Sequence, residues 1–285
     1  MDVKLRPGTP DDAEDCGRIC YDAFAAIAAA HGYPCDFPSP EVATGLVTTL
    51  LRLPGIFSVV AEAGGEVVGS NFLDERAAIA GVGPITVAPG VQAGAVGRRL
   101  MLAVMDRAAE RGAAGVRLVQ TAYNTRSLSL YAKLGFVARE PLACLQGPPV
   151  AVTVEGRTVR TATAADGEAC NSVCRAVHGH DRAPQVLDAV ADGTALVVEH
   201  GGRITGYSAG LSFFAHSVGE TVDDVEALIG AAAGFGGSGL LVPIRNGPLF
   251  RWCLERGLRV VQLMTLMTTG LYNEPLGAWL PSVMY

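Results

Sequence analysis

Ile85-Thr-Val-Ala-Pro-Gly-Val-Gln-Ala-Gly-Ala-Val-Gly-Arg-Arg-Leu-Met101 reads as a strand, a loop and a helix, in that order. Ile85, Thr86 and Val87 are β-branched and favour an extended chain. From Val96, apolar Leu100, Met101, Val104 and Met105 recur at helical spacing, and Gly112 ends the helix after Arg111. The loop between, Gln92-Ala-Gly-Ala-Val-Gly97, has too little side chain to fill space. A ligand can therefore approach its backbone N–H groups where the helix begins. Unpaired N–H groups and the helix dipole both favour an anion there.

A second segment, Asn124-Thr-Arg-Ser-Leu-Ser-Leu-Tyr-Ala-Lys-Leu-Gly-Phe136, opens on a residue suited to capping a helix and closes on a glycine suited to a left-handed terminus. Leu130, Tyr131 and Leu134 share one face of that helix. Together, Gln92…Gly97 and Asn124…Leu-Tyr-Ala-Lys-Leu-Gly-Phe136 resemble the acetyl-CoA-binding motifs of the GNAT superfamily of N-acetyltransferases over residues 1–150. The family's loop is usually written Gln/Arg-x-x-Gly-x-Gly/Ala; Gln92 and Gly97 match it, and Ala95 stands where it has the middle glycine. Alanine keeps the backbone approachable, but a left-handed conformation there is strained.

The resemblance implies an α/β (α+β) fold with a mixed, largely antiparallel sheet flanked by helices. Two central strands splay apart, and the pantetheine of acetyl-CoA enters the opening. It implies a cofactor site at Ile85, Thr86, Val87, Gln92, Ala93, Gly94, Ala95, Val96, Gly97, Arg98, Asn124 and Tyr131. A backbone N–H near Val87 polarises the thioester carbonyl, and either Arg98 or Arg99 meets phosphate. Tyr131 stands where the family places its general acid, and a phenol has a pKa close to that of a leaving thiol. Its other reading is a core aromatic between Leu130 and Leu134. No carboxylate lies in Ala80–Val87, so Asp74 and Glu75 are the nearest candidates for a general base. A water chain and an ordinary exposed turn are the alternatives. His31, Tyr33, Asp36 and Phe37, in the segment His31–Pro54, either recognise the acceptor or pack their loop.

The rest of the chain repeats this plan. Arg6, Thr9, Asp12, Glu14, Cys16 and Cys20 align at constant offset with Arg160, Thr163, Asp166, Glu168, Cys170 and Cys174. Val59–Gly69 aligns with Leu196–Gly206 around a Gly-Gly turn, and Asn124–Gly135 with Asn246–Gly257. Three matches in one order mean tandem domains. The expected boundaries are 1–148 for an acetyl-CoA-binding domain and 149–285 for a degenerate copy. In that copy Cys253 replaces Tyr131, the phosphate loop is missing, and Glu220, Asp223 and Asp224 stand near its place. Ser217–Glu220 reads as a possible helix start there.

In the first copy, strands are expected at Val3–Arg6, Phe57–Ala61, Glu66–Asp74, Gly83–Val87, Gly115–Gln120 and Phe136–Leu145. A helix is expected at Pro10–Phe24.

A length of 285 residues suits two domains, and a net charge of −6 argues against nucleic acid. The longest apolar run, Phe24–Ala30, is too short to span a bilayer, and the N-terminus has no signal segment. A cytoplasmic monomer or homodimer is expected, with no membrane or metal partner. The seven cysteines form no Cys-x-x-Cys pair, and His178-Gly-His180-Asp181 reads as a polar loop. The function expected is transfer of an acetyl group from acetyl-CoA to a primary amine, with a small molecule as acceptor. The alternatives are a protein N-acetyltransferase and a non-catalytic acyl-CoA sensor.

Overall fold

The computed structural model describes residues 2–91 and 95–285. The chain forms two compact units. The first holds residues up to Leu118, Asn124–Gly135 and Met284; the second holds Val119–Tyr123, Phe136–Val283 and Tyr285.

The first unit contains β1 (Val3–Pro7), α1 (Ala13–His31), α2 (Pro40–Arg52), β2 (Ile56–Ala63), β3 (Glu66–Asp74), β4 (Ile79–Val82), β5 (Thr86–Val87), α3 (Val96–Glu110), the start of β6 (Gly115–Thr121) and α4 (Thr125–Lys133). Its strands run in the order β1-β2-β3-β4-β6, with β5 beside β3. The pairs are antiparallel except β4 with β6, which is parallel. The sheet is therefore mixed, as expected. Its core includes Ile19, Val47, Phe72, Leu73, Leu100 and Met101. Helix α1 outruns the predicted Phe24 end, because Ala25–Ala30 continues good helix formers until Gly32 turns left-handed. Helix α2 falls in the segment His31–Pro54, for which no element was expected. Ser39 precedes Pro40 at its first turn, and Ala43, Val47 and Leu50 bury one face. A Cβ on Gly17 would collide with Thr44, so the glycine permits the close approach of α1 and α2.

The second unit contains β7 (Val137–Gln146), β8 (Thr158–Thr161), α5 (Gly167–His178), α6 (Ala183–Ala191), β9 (Leu196–His200), β10 (Arg203–Ser208), β11 (Ser217–Gly219), α7 (Val222–Ala231), β12 (Leu240–Pro243), α8 (Gly247–Glu255), β13 (Arg259–Gly270) and β14 (Ala278–Leu280). Five strands form an antiparallel sheet ordered β14-β11-β10-β9-β8. Strand β7 lies between β12 and β13, antiparallel to both.

The strand over Phe136–Leu145 was expected to complete the first copy. Instead β7 joins the second unit. Its Ala143 and Leu145 enter a core with Val225, Ile229, Leu240 and Leu249. Correspondingly, β13 stands beside the end of β6, where the Ala122 N–H donates to the Leu263 carbonyl at 2.9 Å. The sequence repeats and the compact units are thus divided differently, because the last long strand of each repeat has exchanged its neighbours.

The repeat is visible in side-chain detail. Arg6 bridges Asp12 and Glu62 at 2.6 Å each, and Arg160 bridges Asp166 at 2.8 Å and Glu199 at 2.7 Å. Asp12 and Asp166 accept the Thr9 and Thr163 N–H groups, both at 2.7 Å. The guanidinium beside each carboxylate holds its pKa down, to about 2 for Asp12 and further for Asp166.

Candidate functional site

The first-unit site grows from β3. Leu73 pairs with Val82 on β4, and Ser70 pairs with Thr86 on β5. Between these pairs the register slips by one residue, so of the strand predicted over Gly83–Val87 only Thr86–Val87 is strand, and β4 precedes it at Ile79–Val82. Val87 lies opposite Gly69, and the Ala88 N–H donates to the Val68 carbonyl at 2.9 Å. Ile85 and Val87 are half-buried, whereas Thr86 faces inward and is buried.

Gln92, Ala93 and Gly94 lie outside the described residues. Ala95, the N-cap of α3, adopts φ 59° and ψ 10°. That is the left-handed conformation the sequence marked as strained. Among the described residues no side chain caps α3, and no acid stands in its first turn. Its first N–H groups are thus free of the usual competitors for an anion. Around Gly97, a Cβ would sit 3.7 Å from Leu130 and 3.8 Å from Val87. The helix start therefore lies against both β5 and the helix that carries Tyr131. Arg98 is exposed, without a partner among the described residues. Arg99 instead donates to the Val3 carbonyl at 2.5 Å. Of the two candidates for phosphate, Arg98 is the available one.

Asn124 caps α4 by accepting the Ser127 N–H at 3.1 Å. Tyr131 is the buried residue of that helix, and burial pushes its phenol well above the ordinary range. It is a neutral hydroxyl at any physiological pH.

The two carboxylates considered as bases are both engaged. Asp74 receives Arg76 at 2.7 Å, and Glu75 receives Arg107 at 2.7 Å with Arg111 at 3.8 Å. Phe37 and Asp36 are buried, and Phe37 meets Phe24 edge-on at 5.4 Å. His31 bonds the Ile27 carbonyl at 2.9 Å. Asp36 and Phe37 are thus packed, Phe37 against α1, whereas His31 is exposed at the end of α1.

The corresponding place in the second unit is built differently. Strand β11 pairs with β10 as β5 does with β3, since Gly206 faces Gly219 where Gly69 faces Val87. Ser217–Gly219 is therefore strand, not a helix start. Helix α7 begins three residues later, at Val222, with a full capping box between Thr221 and Asp224. Asp224 is fully buried and bound by Arg157 at 2.8 Å. The other edge of β11 carries β14, with Val218 opposite Trp279. Ala278–Leu280 lies in the apolar, strand-like tail Leu276–Tyr285, expected from sequence to complete the second sheet or to pack on the first domain, and it completes the sheet.

His178 and His180 are not a polar loop. His178 ends α5 and meets Trp279 edge-on, while His180 bonds the Tyr285 hydroxyl at 3.0 Å. Both are buried. Among the described residues no group of three or more His, Cys, Asp or Glu is placed to hold a metal ion. None of their helices is long and apolar enough to cross a membrane. The cysteines are free, and all but Cys35 are buried.

Residues 26–136 match the family described as Acetyltransferase (GNAT). No curated protein matches the chain. Among solved structures, a candidate acetyltransferase from Pyrococcus horikoshii is similar at a TM-score of 0.76 and 18% identity, covering 97% of this chain and 94% of that one. A GCN5-related N-acetyltransferase from Sphaerobacter thermophilus gives 0.63 at 17% identity, over 95% and 96%. A tandem GNAT protein from the clavulanic acid biosynthesis pathway gives 0.55 at 16% identity, over 94% and 98%. At these identities the likeness is one of fold, and it extends through both repeats.

Proposed function

Because the chain carries a GNAT acetyltransferase domain, whose family transfers acyl groups from acetyl-CoA, we propose that it acetylates the primary amine of a small molecule by direct transfer. On this reading residues 1–148 form the repeat that binds acetyl-CoA. Residues 149–285 form a repeat that binds none and serves the acceptor side. The observation that carries the reading is the uncapped start of α3, held against both β5 and the Tyr131 helix.

Acetyl-CoA supplies an activated acetyl group. The first-turn N–H groups of α3, the Gln92–Gly94 loop and Arg98 receive its pyrophosphate, by helix dipole and direct charge. The amine attacks as the free base. The Val87 N–H stabilises the oxyanion that develops on the thioester carbonyl. The amine nitrogen forms its bond to the carbonyl carbon, and the carbon–sulfur bond breaks. Tyr131 then gives its proton to the departing thiolate. Burial keeps the phenol protonated beforehand, and the same apolar surroundings raise the proton affinity of the thiolate. The ion pairs of Asp74 and Glu75 favour a structural role for both, and water then carries away the amine proton.

CoA release is the test, measured with a thiol reagent over a panel of small amines and N-terminal peptides. Turnover with small amines supports the reading. Turnover with peptides alone makes the protein acceptor the better description. Tight acetyl-CoA binding with no release on any acceptor replaces the enzyme with a sensor.

A further inference from the structure

Strand β5 is an insecure support for a catalytic N–H. It spans two residues and pairs, through Gly69 and Ser70, with β3. The strand before it is out of register by one residue, so β4 does not hold it in line. Yet the Thr86 hydroxyl lies 3.3 Å from the Ser70 hydroxyl, inside the pair Ser70–Thr86. Both side chains are buried, at 3% and 1% exposure. The Ser70 hydroxyl also lies beside the Cys16 thiol of α1 and lowers its pKa, but burial outweighs that and pushes the thiol up to about 11, so it stays neutral. Beside this pair the backbones nearly touch, since a Cβ on Gly69 would fall 2.6 Å from the Thr86 carbonyl oxygen.

The second repeat carries out the comparison by itself. By strand register, Tyr207 stands at the place of Ser70 and Val218 at the place of Thr86. Valine has nearly the shape of threonine without its hydroxyl. The Tyr207 hydroxyl turns to His216 at 2.9 Å instead. Val218 is buried in the core beside Tyr207. The second repeat joins the same two strands by a buried hydroxyl pair one position further along, Ser217 to Ser208 at 2.8 Å, so what is particular to the first repeat is the place of the pair, next to Val87.

We propose that Thr86 and Ser70 are positioning residues, whose buried hydroxyl pair fixes β5 so that the Val87 N–H points at the thioester carbonyl. The inference rests on the acetyl-transfer reading above. It adds that Thr86 acts through its side chain on the main chain of its neighbour, not by touching the cofactor with that side chain. Val87 is the group that touches the reacting atoms.

The test is Thr86→Val, the change already present in the second repeat, with Thr86→Ser and Ser70→Ala beside it. Losing an oxyanion donor outright typically costs about 10²–10³ in rate, so losing its alignment is expected to cost roughly tenfold. We expect kcat to fall about tenfold in Thr86→Val, with KM for acetyl-CoA changed less than about twofold, since the rest of the cofactor binds elsewhere. Thr86→Ser, which keeps the hydroxyl, restores most of the rate. The infrared stretch of the bound, carbon-13-labelled thioester carbonyl reports polarisation directly. It shifts down on binding the wild type, and the shift shrinks in Thr86→Val and Ser70→Ala. A folded Thr86→Val with wild-type kcat and an unchanged carbonyl shift overturns the proposal. Should Thr86→Val fail to fold, the carbonyl shift in Ser70→Ala decides. Wild-type protein that binds acetyl-CoA and shifts its carbonyl without turning over any amine overturns the transfer reading and still leaves the role of Thr86 to be read from the variants. Wild-type protein that does not bind acetyl-CoA overturns both.

Discussion

Residues 88–95 separate β5 from α3, whereas only Glu220 and Thr221 separate β11 from α7. The two helices begin at equivalent points of the two repeats, and their first turns are satisfied in opposite ways. Thr221 and Asp224 bond reciprocally across the start of α7, and Arg157 neutralises the carboxylate. Such a box satisfies the N–H groups that an anion would need. Helix α3 has no capping side chain, and its N-cap is an alanine bent left-handed. The edges of the adjoining strands differ in the same sense. Strand β11 is covered on one side by β10 and on the other by β14. Strand β5 pairs with β3 alone among the described strands. The same strand-to-helix plan is thus closed by its own side chains in one repeat and, among the described residues, left uncapped in the other.

The largest effect that separates the repeats should be chemical. Tyr131 and Cys253 occupy equal positions on α4 and α8, seven residues after Asn124 and Asn246. Tyr131→Phe keeps the ring and removes the hydroxyl. A general acid is worth about 10²–10⁴ in rate, so kcat should fall by that factor while acetyl-CoA affinity and Tm stay near wild type. Turnover within about threefold of wild type makes Tyr131 a core aromatic, as Cys253 is a core thiol.

Next in size is Gly97→Val. One Cβ fits against Leu130 and Val87 at ordinary contact distance, but the branched side chain projects across the helix start. Acetyl-CoA at a hundred times its Kd should stabilise the wild type by about 2.7 kcal/mol, and that stabilisation should vanish in the variant. Undiminished thermal stabilisation in folded Gly97→Val breaks the assignment of the open helix start to the cofactor.

The paired triads provide a control in which the repeats should behave alike. In both, the folded carboxylate has its pKa depressed by arginine, so its stabilisation is complete above the unfolded value, near 3.9. That stabilisation is lost as pH falls, through about 2 in the case of Asp12. Asp12→Asn and Asp166→Asn should each cost about 2 kcal/mol at pH 7, from one ion pair and one cap. The deficit should shrink between pH 4 and 2. Circular dichroism melts follow the whole chain, and emission of Trp252 and Trp279, both in the second unit, follows Asp166→Asn in particular. A deficit independent of pH refutes the ion-pair account.

Much of this was legible before any coordinates. Asn124 and Asn246 cap their helices at the same place, and Gly135 and Gly257 both turn left-handed, at φ 91° and 87°. Such features are local, so composition and spacing reveal them. The triads also appear as aligned letters. Helix α2 could have been read from Ser39-Pro40 and the spacing of Ala43, Val47 and Leu50, but the flanking prolines suggested a loop. What the sequence does not carry is long-range choice. Nothing local distinguishes β7 pairing with β12 and β13 from β7 closing its own repeat. Likewise, Asp74 and Glu75 look like free acids until Arg76 and Arg107 are seen beside them.

The smallest expected difference concerns Ala95. A left-handed alanine costs roughly 1–2 kcal/mol relative to its relaxed conformation, because Cβ crowds the following carbonyl. Glycine removes that cost but loses more chain entropy on folding, by roughly 0.4–1 kcal/mol. Ala95→Gly should therefore stabilise the free protein modestly, by about 0.5–1 kcal/mol, and leave the helix start equally open. No such gain is available at the equivalent cap of α7, since Thr221 is extended at φ −132°. Thr221→Gly should instead weaken the second unit by losing the side-chain acceptor. The two variants thus probe one backbone position with opposite predicted signs. If Ala95→Gly lowers Tm, the strain at Ala95 is not present in solution, and the loop before α3 takes another path. If it raises Tm and also weakens acetyl-CoA binding, the strained alanine is part of how the first turn is held ready for an anion, as strain at a ligand site can be.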